Sequence, residues 1–155
     1  MQFSSKEDIE APIEAVFEAI SDFDLFERSS IRRGIEVHRV DDAAPVAPGL
    51  AWDAAFDLRG KRRQLHLTLT RLDPPEAMEI TSESSGLCGD MTVDLVALSP
   101  RRTRLEIALK LTPRTLSARL FLQSLKLAKA NLTRRFKHRV ADFAKTVEER
   151  QVRSA

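Results

Sequence analysis

The sequence predicts an α+β domain in which an antiparallel sheet of about seven strands has its apolar face covered by a long C-terminal helix, with two short helices after the first strand. Three observations carry this. Between Ile35 and Leu111 the apolar residues recur with a period of two, broken by short turn signals. From Thr115 to about Arg150 there is no Gly or Pro, and a single apolar stripe recurs at helical spacing. The sheet has one apolar and one wet face, and only the C-terminal segment is long enough to cover the apolar one.

The elements follow in order. A short strand spans Phe3 to Ile9, and Pro12 then opens a helix carrying Ile13, Val16, Phe17 and Ile20. The segment "DFDLFERSS" from Asp22 gives a second short helix. "LAWDAAFDL" sets Leu50, Trp52, Ala54, Phe56 and Leu58 against Ala51, Asp53, Ala55 and Asp57. "LRGKRRQ" forms a hairpin tip around Gly60, and "QLHLTLTRL" follows with Leu65, Leu67 and Leu69 on one side. After the breaker "DPPE" come strands carrying Met78, Ile80, Ser82 and Ser84, then Met91, Val93 and Leu95, then Leu105, Ile107, Leu109 and Leu111. Thr112 with Pro113, or Thr115 alone, starts the terminal helix. Its stripe runs through Ala118, Phe121, Leu122, Leu125, Ala128, Leu132, Phe136, Val140, Phe143 and Val147. A smaller stripe of Leu116, Leu120 and Leu127 lies on the opposite side of its first half. That stripe requires loops covering it, a break in the helix, or a partner surface.

The 155 residues, 43% hydrophobic and 31% charged, suit one domain, residues 1 to 150, with a disordered tail at 151 to 155. Burial of roughly 70% of the unfolded surface is expected at this size. The lone Cys88 excludes an internal disulfide framework, and charges at Lys6, Glu7 and Asp8 interrupt any N-terminal apolar run. A cytoplasmic protein is the expectation. The net charge of +2 conceals an asymmetry, with a balance of −6 over residues 1–113 and +8 over residues 114–155. No aromatic residues interleave these basic groups on one face, and no finger or RNP-like motif accompanies them, so nucleic acid is not the expected partner.

Certain motifs resemble a known superfamily. "IEAPIEAVFEAISDFDLFE" from Ile9 to Glu27 looks like the opening of the START, birch-pollen-allergen and polyketide-cyclase-like (SRPBCC) superfamily, in which an alanine-proline pair ends the first strand and begins the first helix. "PGLAW" from Pro48 to Trp52 resembles its glycine-then-tryptophan strand start, and "LTRLDPPEAMEI" from Leu69 to Ile80 its strand, double-proline turn and strand. The likeness spans about residues 1 to 148. It implies a helix-grip fold, a curved sheet wrapped around the long helix with a hydrophobic cavity between them, in members that bind lipids, sterols, hormones, quinones or polyketide-like molecules, some of which they transform. Two departures stand out: many members carry a Trp near the end of the second short helix, where this chain has "ERSSIRR", and this chain has no Tyr.

The expected ligand-binding residues are Trp52, Phe56, Leu67, Met78, Ile80, Ser82, Met91, Val93, Ile107, Phe121, Leu125 and Leu132, with the two inner serines available as polar contacts. No metal or cofactor is expected. His38, His66 and His138 are isolated, and neither Gly-rich phosphate motifs nor a nucleophile elbow occur. The pairs Asp53 with Asp57 and Asp90 with Asp94 lie about 13 Å apart along their strands, too far for a two-carboxylate hydrolase, and face outward. Glu7 shares the inward face of its strand with Phe3 and Ile9 and is the one weak catalytic candidate. Three functions remain in view: a carrier of a small hydrophobic ligand, a cyclase or dehydrase using the same cavity, and an interaction module. The last would dock an acidic membrane or protein through Leu116, Leu120 and Leu127, flanked by Arg119, Lys126 and Lys129 and aided by Arg59, Lys61, Arg62 and Arg63.

Overall fold

The structure is a computed structural model and describes residues 1–154. Seven strands form one antiparallel sheet: β1 (Gln2–Ile9), β2 (Glu36–Arg39), β3 (Ala51–Leu58), β4 (Lys61–Asp73), β5 (Ala77–Ser84), β6 (Leu87–Ser99) and β7 (Arg102–Pro113). Their order is β1-β7-β6-β5-β4-β3-β2, so five consecutive hairpins make most of the sheet and the first strand returns to pair with the last. Helices α1 (Ile13–Ile20) and α2 (Phe23–Arg32) lie between β1 and β2, and α3 (Leu116–Lys126) and α4 (Lys129–Ser154) end the chain. This is the antiparallel sheet expected from the alternation, in the helix-grip arrangement that the resemblance implied.

Turn chemistry explains the hairpins. Arg59 and Gly60 both adopt positive φ at the β3–β4 tip, as do Ser85 and Gly86 between β5 and β6, the geometry that two-residue hairpin turns require. Register then places alternate residues on a shared face. Phe56 opposes Arg63, Trp52 opposes Leu67, and Val93 opposes Ile107. Asp53 and Asp57 face outward, where they meet His66 and Arg62. Asp90 stands directly across from Lys110.

The inner face of the sheet and the helices share a core built around Ile9, Val16, Leu69, Met78, Val93, Leu105 and Val147, each no more than 2% exposed. Thr103 is wholly buried within it, and its hydroxyl donates to the Ala11 carbonyl at 2.8 Å, which satisfies the polar group. α2 begins at Asp22, whose carboxylate accepts from the Leu25 amide, and α3 at Thr115, whose hydroxyl accepts from the Ala118 amide.

The terminal segment departs from the expected single rod. It breaks at Leu127 and Ala128, where the Ala128 amide donates to Leu125 three residues back before the regular ladder resumes at Leu132. The break lets α3 lie against β7 while α4 lies against β1. α4 is 26 residues long, or about 39 Å at 1.5 Å per residue, and continues to Ser154, past the point near Arg150 where its apolar stripe ends. Its inward contacts include Phe136 against the Phe3 ring, with centroids 6.2 Å apart.

On the outer face, β1 is tied to β7 by a fork in which Arg104 donates to Asp8 through Nε at 2.8 Å and Nη2 at 3.2 Å. The hydrogen bond from Arg104 lowers the Asp8 pKa below its ordinary 3.8, helped by the charges of Arg104, Arg102 and Lys6 and opposed by partial burial. A depressed carboxylate stabilises the fold above its unfolded pKa and loses that effect as pH falls through the folded value. Thermal melts of Asp8→Asn and the parent chain are therefore expected to differ at neutral pH and to converge in strong acid. A gap that persists or widens in acid contradicts the assignment.

Candidate ligand-binding site

Two apolar cavities open on the concave face. The first, about 410 Å³, lies between the sheet and the α3–α4 region. Phe56, Leu58, Arg63 and Leu65 line it from β3 and β4, and Leu109 and Leu111 from β7. Phe121 and Leu125 come from α3, and Leu132 and Phe136 from α4. The second, about 280 Å³, lies between the sheet and α2, with Trp52, Leu67, Met78, Ile80, Met91 and Ile107 below and Phe23, Phe26 and Glu27 above. The two occupy neighbouring rows of one face. On β4 and β7 the residues lining one cavity are two positions from those lining the other, as with Leu65 and Leu67 or Leu109 and Ile107, and on β3 Phe56 and Trp52 are four apart.

Of the residues expected from sequence, Phe56, Phe121, Leu125 and Leu132 line the first cavity, and Trp52, Leu67, Met78, Ile80, Met91 and Ile107 line the second. The expected single space between sheet and C-terminal helix is corrected to two spaces, with α2 roofing the second. The reason is that α4 lies along the β1 edge, so the middle of the sheet near Trp52 is covered by the short helices. Val93 lines neither cavity: it is 1% exposed in the solid core. Ser82 also lines neither, and its hydroxyl donates to the Gly89 carbonyl. Glu7 faces inward opposite Leu105 and is half-buried. It lines neither cavity and makes no hydrogen bond or ion pair among the described residues, so no second titratable group joins it.

Two polar side chains that the sequence reading did not place in a site now appear there. Glu27 sits at the wall of the second cavity, where it accepts from Trp52 Nε1 at 2.8 Å and from Arg39 Nε. Arg39 is further held by Asp24 at 2.7 Å, and the Glu27 hydrogen bond raises its pKa above the usual arginine value. The carboxylate thus locks the indole that floors the cavity, while the Phe23 ring packs on that indole at 5.1 Å. The spacing of Phe23, Glu27 and Ser30 on one helical stripe was the available signal. Arg63, the other polar side chain, projects inward from β4 and stacks over Phe121, with its guanidinium carbon 4.8 Å from the ring centroid.

The corner between α3 and the β5–β6 hairpin is tight. The Gly86 carbonyl accepts from the Arg114 amide at 2.7 Å, and a Cβ at Gly86 would come within 2.6 Å of the Thr115 hydroxyl. Glycine is needed there both for φ +79° and for that approach. Among the described residues, no group of three His, Cys, Asp or Glu side chains is placed to hold a metal. Among the described residues, no helix is long and apolar enough to cross a membrane.

Comparisons with known proteins agree with this architecture. A Thermus thermophilus protein, TTHA0849, superposes with a TM-score of 0.67 at 17% identity, covering 100% of this chain and 99% of its own. A Streptomyces aromatase/cyclase gives 0.64 at 13% identity, covering 98% and 95% respectively. Norcoclaurine synthase from Thalictrum flavum, in complex with dopamine and hydroxybenzaldehyde, gives 0.66 at 13% identity, covering 96% and 87%. At these identities the likeness is one of fold. No curated protein matches by sequence. The model of one family, described as polyketide cyclase/dehydrase and lipid transport, matches residues 1–148. On that match, the chain belongs to the polyketide cyclase/dehydrase and lipid transport family.

Proposed function

We propose that the protein binds and carries a small hydrophobic molecule, lipid-, quinone- or polyketide-like, in the cavity between the sheet and α3–α4. The observation that carries this is the cavity itself. Its walls are almost wholly apolar, so an open space of about 410 Å³ leaves large hydrophobic side chains from the sheet and both helices facing a gap, which a hydrophobic guest would cover. Affinity would come from apolar burial at about 25 cal/mol per Å². The cyclase or dehydrase alternative draws less support, because Glu7 lies away from both cavities. Native mass spectrometry of freshly purified protein, followed by solvent extraction and titration with decanol, tests the reading. A co-purifying apolar molecule, or saturable one-to-one binding of decanol, is expected. Absence of both overturns it.

A second, compatible reading is contact with an anionic membrane through α3. Leu116, Leu120 and Leu127 are 71%, 56% and 93% exposed beside the first cavity, among the exposed cations Arg119, Lys126 and Lys129. Apolar side chains ringed by positive charge suit an interfacial helix on acidic lipid. Phosphatidylglycerol vesicles should co-sediment the protein, with binding weakened by salt and about tenfold by replacing the three leucines with serine. Equal binding to phosphatidylcholine vesicles, or none at all, rejects the membrane; pull-down of a protein instead would point to the other occupant.

A further inference from the structure

The inward placement of Arg63 sets the chemistry of the guest. Several strand arginines on the outer face have carboxylate partners, as Arg62 with Glu36 and Asp57, Arg71 with Asp73, and Arg104 with Asp8, and the exposed Arg59 at the β3–β4 tip donates to Ser124. Arg63 has no carboxylate partner among the described residues. No Asp or Glu lines the first cavity, and the Arg63 Nε is buried without a hydrogen-bond acceptor. Its one attractive contact is the Phe121 ring, which Arg59 also approaches at 5.7 Å.

A half-buried guanidinium set against an apolar wall, with its Nε buried and without an acceptor, gains from a partner that completes it. Leu65, Leu67 and Leu69 continue the same row of β4, so a leucine at position 63 would suit the wall better if it served packing alone. The arginine fork is shaped to receive a planar anion through two parallel hydrogen bonds. Ser85 and Ser117 line the same cavity and bring hydroxyls that can donate to such a group, whereas the Ser84 hydroxyl already donates to the Gln64 carbonyl.

We infer that the first cavity is built for an amphiphile whose apolar body lies between Leu65, Leu109 and Leu125 and whose single carboxylate-like anion pairs with Arg63. This rests on the binding proposed above and names its ligand class. A monoanion is favoured over a phosphate dianion because Arg63 is the one cation in the cavity lining, while Arg59 lies outside that lining and donates to Ser124, which would leave a second negative charge unmatched. The volume accommodates one drug-sized molecule.

Isothermal titration with decanoate and decanol, the same chain with and without the charge, tests this in the parent, Arg63→Met and Arg62→Met proteins at fixed salt and a pH that ionises decanoate. The parent and Arg62→Met should prefer decanoate by roughly 10- to 100-fold, the range of charge-assisted hydrogen bonds. In Arg63→Met that preference should disappear while decanol affinity stays within about threefold of the parent. Removing an unpaired charge should also leave the ligand-free melting temperature equal or higher, so loss of folding is not the expected confounder. If the parent binds both molecules equally, the anion site is wrong while the cavity reading stands. Retention of the preference in Arg63→Met likewise overturns it, and failure of both molecules to bind overturns this inference and the proposed function together.

Discussion

Trp52→Ala is expected to produce the largest loss of stability of any substitution considered. The indole is 5% exposed, packs against Phe23 at 5.1 Å, floors the second cavity and donates to Glu27. Truncation removes this apolar burial next to an existing space that cannot collapse onto the gap, and such changes cost about 3–5 kcal/mol. It also strips one donor from a carboxylate whose remaining partner is Arg39. At about 2–4 °C per kcal/mol for a chain of this size, the midpoint of thermal unfolding should fall by roughly 10 °C. Trp52→Phe, which keeps a ring against Phe23, should lose less than half of that. Differential scanning calorimetry decides it: a fall for the alanine variant of only a degree or two would mean that Trp52 is not held as described.

Leu109→Trp is expected to have the largest effect on binding. Leu109 projects from β7 into the first cavity, opposite Phe3 across the strand pair and facing Phe121 and Leu125 across the space. An indole at this position occupies volume that the guest would otherwise take. Filling a void adds contacts without displacing packed neighbours, so stability should hold or rise, whereas the same enlargement in the solid core near Val93 would introduce strain. Affinity for decanol should fall by about 100-fold, close to the 2.7 kcal/mol that burying three or four methylenes provides. Undiminished binding with a normal melting curve would place the guest elsewhere, most directly in the second cavity under α2.

The strands were readable because alternation is a strong signal where one face is wet. Every inward residue from Trp52 to Phe56 and from Leu65 to Leu69 falls where the period of two puts it. The same rule, carried two residues further back along β4, places Arg63 inward. Grouping it with Arg59, Lys61 and Arg62 as a cluster of surface cations hid that fact, since charge suggests solvent and here geometry overrides it. The helix break was less legible. No Gly or Pro marks Leu127 and Ala128, and the stripe of apolar residues continues across them. What bends the chain is the separate demand of two docking surfaces, β7 for α3 and β1 for α4, which no local propensity encodes. The exposed Leu127 was the visible trace of this, one of three explanations that the second stripe left open. The division of the cavity had no local signal either, because it depends on which helix roofs which row of the sheet.

The discontinuity between α3 and α4 also separates two mechanical duties. α4 is clamped along β1 by Phe136, Val140 and Val147 and carries the structural load at that edge. α3 is fastened at its start by Thr115 beside Gly86 and turns into α4 through two residues, and only Ala118 and Leu122 of its side chains are fully enclosed. A panel hinged at one end and latched at the other has fewer interactions to release than the girder behind it.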